Sequence, residues 1–218
     1  MTNPLLSAWN TPFALPPFDA IKDSDFAPAV DVALAEARAN IAALAENPEP
    51  ASFANTIEAL ETAEEKLGKV LSVFYNLSGA DSTDTRQALE RDLAPKLSAF
   101  STEITMNPAL FARIAAVWEQ RDSLGLTPEQ ARVLMLTRRG FVRAGAKLTG
   151  ADRDRLGAIN ERLAVLSTAF SQNLLADERD WFMPLSADDL KGLPDFVVNG
   201  ARAAAAERSQ DGYLLTLS

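Results

Sequence analysis

A helical hairpin between residues 107 and 148 most constrains what this chain can fold into. Asn107-Pro108 and Thr127-Pro128 each place a side-chain oxygen acceptor before a proline, the preferred start of a helix. Gly125 is the expected end of the first helix. The second helix has an apolar seam with a seven-residue repeat. The apolar positions of the two helices are Leu110, Phe111, Ile114, Val117 and Trp118, then Leu134, Phe141 and Leu148.

Four further segments have apolar residues at helical spacing. The pattern predicts helices from Ser24 or Asp25 to about Glu46 and from Asn55 to about Ser78. A third helix follows the turn at 81–84 and has a kink or break at Pro95, and the longest starts at Thr149 to Asp152 and continues to about Asp180. One apolar stripe beside a charged face is typical of antiparallel helix packing. The stripes are Phe26, Val30, Leu34, Ala37, Ile41 and Leu44; Ile57, Leu60, Leu67, Leu71 and Phe74; Leu89, Leu93, Leu97, Phe100 and Ile104; and Leu156, Ile159, Leu163, Leu166, Phe170 and Leu174.

The last part of the chain has a different sequence pattern from the long helical segments before it. Trp181–Leu185 and Tyr213–Leu217 are short extended runs, and an alanine-rich helix begins near Leu193-Pro194 between them. The predicted fold class is therefore all-α, an antiparallel bundle of long helices with at most a small two-stranded ribbon near the C-terminus. We expect an extended N-terminal arm over 1–22, a helical bundle over 23–180 and a strand-helix-strand segment over 181–218.

Composition excludes several kinds of site. The chain has no cysteine and no histidine, which removes disulfides, thiolate metal ligands and the commonest general base and zinc ligand. The net charge of −9 argues against general binding to nucleic acid or to an anionic membrane. The N-terminus does not have the pattern of a secretory signal, and no segment predicts a membrane span. We therefore expect a cytoplasmic protein.

Four glutamates on one predicted helix invite a di-metal interpretation. Glu58, Glu61, Glu64 and Glu65 lie within two turns, but di-metal carboxylate sites in bundles also use histidines, which this chain lacks. A solvated acidic face beside Lys66 and Lys69 is the favoured interpretation. Glu64 is the only one of the four that interrupts an apolar seam. It is therefore the one whose burial in the structure would bear on the di-metal interpretation.

Basic residues concentrate in the middle of the chain, where residues 107–155 carry nine basic and five acidic side chains. Arg138, Arg139 and Arg143, with Arg132 and Lys147 nearby, could clamp a carboxylate or phosphate. They could equally form ion pairs with acidic neighbouring helices, which we favour. Gly140 and Gly145 in the same region suggest close approach of another helix. The sequence has no phosphate loop, dinucleotide fingerprint, zinc motif or serine nucleophile elbow.

Several segments together resemble a known family. The hairpin sequences LFARIAAVWEQRDSLGL and RRGFVRAGAKL, with NPLL, LPPFDAI, FANTIEALE, LSTAFSQNLL and DLKGLP in the same order, resemble the N-terminal region of the thimet oligopeptidase family of zinc metallopeptidases. Within that family the chain looks most like the bacterial peptidyl-dipeptidase branch and oligopeptidase A.

The resemblance implies a longer parent protein. In this family the zinc is held by an H-E-x-x-H helix and a further glutamate in the C-terminal half, while the N-terminal helices form one wall of a channel that admits oligopeptides. We therefore expect the chain to be the helical lobe of a peptidase that releases C-terminal dipeptides, with zinc in the full-length parent and none in this chain. Its expected partners are oligopeptide substrates and the C-terminal catalytic lobe, with no nucleic acid and no membrane.

No catalytic, cofactor-binding or metal-binding residue of the family maps onto a position of this sequence, so none is predicted here. A chain that stops on a strand signal at Ser218 also suggests a fragment. The alternative hypothesis is a stand-alone, non-catalytic helical module for protein interactions.

Overall fold

The computed structural model describes residues 3–217 and is helical over most of them. The chain divides into two units, Met1–Val165 and Leu166–Ser218. The helices are α1 (Asp23–Ala45), a π-helical turn (Phe53–Glu58), α2 (Ala59–Thr62), α3 (Glu65–Ala80), α4 (Asp84–Thr105), α5 (Pro108–Glu119), α6 (Pro128–Arg143), α7 (Gly150–Asp180) and α8 (Asp195–Glu207). The strands are β1 (Phe182–Leu185) and β2 (Tyr213–Thr216), so the predicted all-α class with a small ribbon is confirmed. Within the described residues, no helix combines the length and apolar character needed to cross a bilayer.

The core of the first unit is built around α1, which packs against α3, α4 and α5. All six residues of its predicted stripe are buried. Phe26 meets Phe74 of α3 edge to face, with ring centroids 5.2 Å apart, and both rings are fully buried. Predicted apolar positions of the other bundle helices also enter this core, namely Ile57, Leu67, Leu93, Phe100, Ile104, Leu110, Ile114, Val117, Leu134 and Phe141. Val70 and Val73 of α3 are buried as well, although they lie outside the predicted stripe.

The N-terminal residues of this unit form three short 3₁₀ turns, Pro4–Leu6, Pro12–Ala14 and Phe18–Ala20. Leu5 is fully buried in the core, and Trp9 packs against it. Phe13 is 94% exposed, so the apolar side chains of this segment are only partly covered. The division into arm, bundle and C-terminal segment stays a prediction.

The hairpin begins as predicted but ends differently. Asn107 and Thr127 accept hydrogen bonds from the backbone N–H groups of Leu110 and Gln130, at 3.0 and 3.2 Å. The first helix ends at Glu119 and not at Gly125, because consecutive turns follow, with the Ser123 hydroxyl donating to the Gln120 carbonyl. In α6 the seam positions Leu134 and Phe141 are buried. Leu148 lies beyond the end of α6 and is 38% exposed, so its predicted place in the seam was wrong.

Continuity is the point at which two other helices test the predictions. The segment predicted as one helix from Asn55 to Ser78 is interrupted at Ala63-Glu64, where a turn separates α2 from α3. Helix α4 runs through Pro95 as one helix, so of the predicted kink or break the break does not occur. A proline removes one backbone hydrogen bond, and the buried Leu93 and Phe100 on either side hold the helix in place.

Helix α7 is the longest, with 31 residues, as predicted, but its apolar stripe is not buried. In the first unit Ile159 and Leu163 are 38% and 54% exposed. In the second unit Phe170 is 71% exposed and Leu174 is 50% exposed. Leu156, at the start of the stripe, is half-buried, but the described residues leave the stripe exposed from Ile159 onward, so the expectation of packed neighbours was wrong for most of this helix.

The second unit ends in the predicted ribbon. Strands β1 and β2 are antiparallel, with Phe182 opposite Thr216 and Leu185 opposite Tyr213. Because a lone two-stranded ribbon is marginal, its contact with α8 matters for stability. Helix α8 packs on β2 and buries Ala201 and Ala205, while Leu214 of β2 is 2% exposed.

Candidate functional site

The glutamates of the di-metal hypothesis do not converge. Glu58, Glu61 and Glu65 are exposed, and Glu64 is half-buried at the turn between α2 and α3. Of the two lysines expected beside them, Lys66 forms an ion pair with Glu36 of α1, and Lys69 donates to the Ser7 carbonyl at 3.2 Å. Among residues 3–217, no group of three acidic or other metal-ligating side chains is arranged to hold a metal ion.

Glu64 lies on a surface pocket of about 350 Å³ that is also lined by Leu60, Ile104 and Phe141. Burial of the carboxyl group beside these apolar side chains raises the pKa of Glu64. In the described part of the chain no cation pairs with Glu64, and the nearby Lys66 and Lys69 contact Glu36 and the Ser7 carbonyl instead. The partial burial of Glu64 therefore makes it a destabilised carboxylate rather than a metal ligand.

Glu64→Gln should remove part of the pH dependence of stability. A carboxyl group with a raised folded-state pKa binds more protons in the folded protein, so its stabilising contribution is lost as pH rises through that pKa. The variant should therefore be more stable than the wild type at pH 7, by roughly 0.5 kcal/mol after solvent screening. Urea denaturation between pH 4 and 7 measures the difference, with Glu61→Gln as the exposed control. A variant less stable than the wild type at pH 7 would contradict the assignment.

The arginines of α6 do not form the ion pairs that we favoured from the sequence. Among the described residues, Arg132, Arg138, Arg139, Arg143 and Lys147 have no carboxylate partner within ion-pair distance. Of the acidic side chains on α1 and α4, Asp31, Glu36 and Glu103 pair with cations other than these arginines. The exposed arginines Arg132, Arg139 and Arg143 therefore remain available to an anion that is not part of this chain.

Trp118 brings two of the basic side chains together. The guanidinium carbon of Arg121 lies 4.5 Å from the centroid of the indole ring, and that of Arg138 lies 5.0 Å from it. Arg121 also donates to the Trp118 carbonyl at 2.9 Å. The Nε atom of Arg138 is buried and has no acceptor in the structure, so cation–π contact is what holds this group.

Arg113 is a residue whose role sequence reasoning missed. It is buried on α5 and donates to the carbonyls of Asn47 and Glu49 at 2.7 and 3.0 Å. It also donates to Asn55 Oδ1 at 2.9 Å and to Thr56 Oγ1 at 3.4 Å. One cation thus fixes the connection between α1 and the π-helical turn. The only sequence signal was an arginine on the apolar side of a helix, adjacent to Ile114.

The second unit has an open cavity of about 600 Å³ between α8 and the ribbon. Its wall is mainly apolar, with Leu185, Leu193 and Val197 among the lining residues. Asp189, also on its wall, accepts hydrogen bonds from the backbone and hydroxyl of Ser186. Glu207 and Arg208 also lie on its wall, and Arg208 donates to the Arg179 carbonyl at 2.7 Å, so the cavity is a mainly apolar surface with two charged side chains on it.

Comparison with known proteins identifies the relatives of this chain. It is 38% identical to dipeptidyl carboxypeptidase of Salmonella typhimurium over 99% of its length, and 37% identical to the protein of that name from Escherichia coli over 98%. It is 33% identical to oligopeptidase A of Salmonella typhimurium over 100% of its length. No protein-family model matches the chain.

These matches extend over the whole chain but over only part of each relative. The chain spans 31–32% of the length of these three proteins. The agreement includes both hairpin helices and the C-terminal segment that the sequence motifs singled out. The chain is therefore related along its whole length to dipeptidyl carboxypeptidase and oligopeptidase A, and the family resemblance stated from its motifs is confirmed.

Proposed function

We propose that this chain is the N-terminal helical lobe of a cytoplasmic zinc metallopeptidase that cleaves oligopeptides. The parent enzyme is a peptidyl-dipeptidase that releases C-terminal dipeptides, and the helices of this chain form one wall of its substrate channel. The observation that carries the proposal is the match, over the whole chain, to peptidases of which it spans about a third. The chain alone is inactive.

The residues present do not fit a catalytic zinc ion. Such an ion takes three protein ligands, typically histidine with glutamate or cysteine, and keeps a position open for water. This chain has no histidine and no cysteine. Its four neighbouring glutamates point to no common centre, and Glu64 is destabilised as an anion. The zinc and the catalytic residues therefore belong to the remainder of the parent protein.

The exposed apolar stripe of α7 supports the proposal that another part of the parent protein packs against this helix. Large apolar side chains on a stable helix normally face another element, and contiguous exposed patches mark contact surfaces. In the first unit Ile159 and Leu163 are exposed, and in the second Leu166, Phe170 and Leu174 are exposed. We assign this stripe to contact with the catalytic lobe. A stand-alone module has less support, because it would leave the stripe in water.

The purified chain is expected to bind no zinc and to hydrolyse no peptide. Elemental analysis after incubation with zinc and desalting should give far less than one zinc per chain, since the donor set is absent. Mass spectrometry of a tetrapeptide incubated with the chain should detect no release of a dipeptide. The Escherichia coli dipeptidyl carboxypeptidase, assayed in parallel, is the positive control.

The parent protein supplies the complementary test. A longer product of the same gene should carry H-E-x-x-H beyond this region and should release dipeptides in the presence of zinc. Stoichiometric zinc on the isolated chain would overturn the assignment of the chemistry to the missing part. A gene product without H-E-x-x-H would overturn the peptidase proposal and favour the interaction module.

A further inference from the structure

Helix α6 presents an exposed row of three arginines on the face opposite its buried seam. At about 100° per residue, Arg132, Arg139 and Arg143 lie within an arc of about 40°. The buried Leu134 and Phe141 lie about 180° away from them. All three arginines are exposed, and Leu136, which is 39% exposed, lies beside them.

The row differs from the cations of α1, α3 and α4. Exposed basic side chains on those helices pair across to a neighbouring helix: Arg38 with Glu103 at 2.9 Å, Lys96 with Asp31 at 2.9 Å and Lys66 with Glu36. Within the described part of the chain, none of the three row arginines has a carboxylate partner.

An uncompensated row of like charges is unfavourable for the helix that carries it. Arg139 and Arg143 are four residues apart, a spacing at which like charges destabilise a helix. The protein has nine more acidic than basic side chains. It therefore has enough carboxylates for every lysine and arginine to have an ion-pair partner. An acidic ligand would relieve the repulsion and gain charge-assisted hydrogen bonds.

The dimensions of the row suit a short extended peptide. Arg132 and Arg143 are eleven residues apart on α6, which corresponds to about 16 Å along the helix axis. An extended peptide covers that length with about five residues. Leu136 provides an apolar contact between Arg132 and Arg139.

We propose that the α6 row, Arg132, Leu136, Arg139 and Arg143, binds acidic oligopeptides in extended form. The peptide class rests on the proposed function, whereas the preference for acidic residues rests on the unpaired arginines. An acidic peptide is favoured over nucleic acid because the net charge of −9 repels a long polyanion, while a short peptide contacts the row alone.

Fluorescence anisotropy with labelled peptides tests the proposal on the 218-residue chain. The probe is a peptide of about ten residues that alternates glutamate and leucine, with a lysine–leucine peptide and a single-stranded oligodeoxynucleotide of similar length as comparisons. The triple variant R132Q/R139Q/R143Q should bind the acidic probe about fivefold or more weakly. Raising the salt concentration should weaken binding to the wild type.

The matched control is R38Q/K66Q/K96Q, which changes the net charge by the same amount at exposed cations that already have carboxylate partners. It should bind the acidic probe nearly as well as the wild type, and circular dichroism should show both variants folded. Equal losses in the two triple variants, tighter binding of the oligonucleotide, or no binding of the acidic probe would each overturn the proposal. None of these results bears on the zinc peptidase assignment, because the assay measures binding without catalysis.

Discussion

Replacing Arg113 by methionine is expected to lower the free energy of unfolding of the first unit by about 3 kcal/mol. The guanidinium donates four hydrogen bonds, to the carbonyls of Asn47 and Glu49, to Asn55 Oδ1 and to Thr56 Oγ1. Thr56 is fully buried, so its oxygen would lose a donor without gaining water. Urea denaturation followed by circular dichroism measures the change.

Arg38→Met is the matched control for this prediction. Its side chain is 44% exposed and makes one ion pair, with Glu103, so the same substitution should cost less than about 1 kcal/mol. Arg113→Lys keeps the charge but loses the planar fork that reaches separate acceptors, and should fall between the two. Equal losses for Arg113→Met and Arg38→Met would show that the hydrogen bonds of Arg113 do not hold the α1 connection.

The sequence was sufficient to predict the helices and most of the first unit's core, because periodicity and capping are local properties. The six stripe positions of α1 and the caps at Asn107 and Thr127 are where the pattern places them. Helix ends were less predictable. Gly125 has a positive φ of 61°, but the helix stops six residues earlier, since local hydrogen bonds by Ser123 compete with the helix.

The sequence pattern does not show which element covers an apolar stripe or which charged side chains pair, because both depend on how the helices are arranged in space. The α7 residues Leu163 and Phe170 have the same spacing as buried stripes, yet no described residue covers them. The ion pairs of Arg38 and Lys96 join residues 65 positions apart, and periodicity does not predict such pairs. For the same reason, the ion pairs that we favoured for the α6 arginines from the sequence are not found among residues 3–217.

Gly145→Ala is expected to destabilise the first unit by about 2 kcal/mol, although only a methyl group is added, mainly through its backbone conformation and in smaller part through overlap with side-chain ends that can shift. Gly145 follows α6 with a φ of +99°, which L-residues rarely adopt. A Cβ atom there would lie 2.6 Å from Leu156 Cδ2 of α7, and 3.2 and 3.3 Å from Leu148 Cδ1 and Met106 Cε. The close approach that the sequence suggested for this glycine is therefore observed. Thermal and urea denaturation measure the loss.

Two other glycines separate the causes. Gly125→Ala has an unfavourable φ of +61° but no atom within 4 Å, so it should cost only about 1 kcal/mol. Gly140→Ala, inside α6 with open space around it, should stabilise the protein by about 1 kcal/mol.

The contact itself is isolated by a double-mutant cycle with Leu156→Ala, because removing the Leu156 side chain relieves the overlap but not the backbone strain. The double variant should therefore be more stable than the sum of the two single changes predicts. Strict additivity would mean that Leu156 moves aside at no cost, and that the backbone conformation alone requires glycine at position 145.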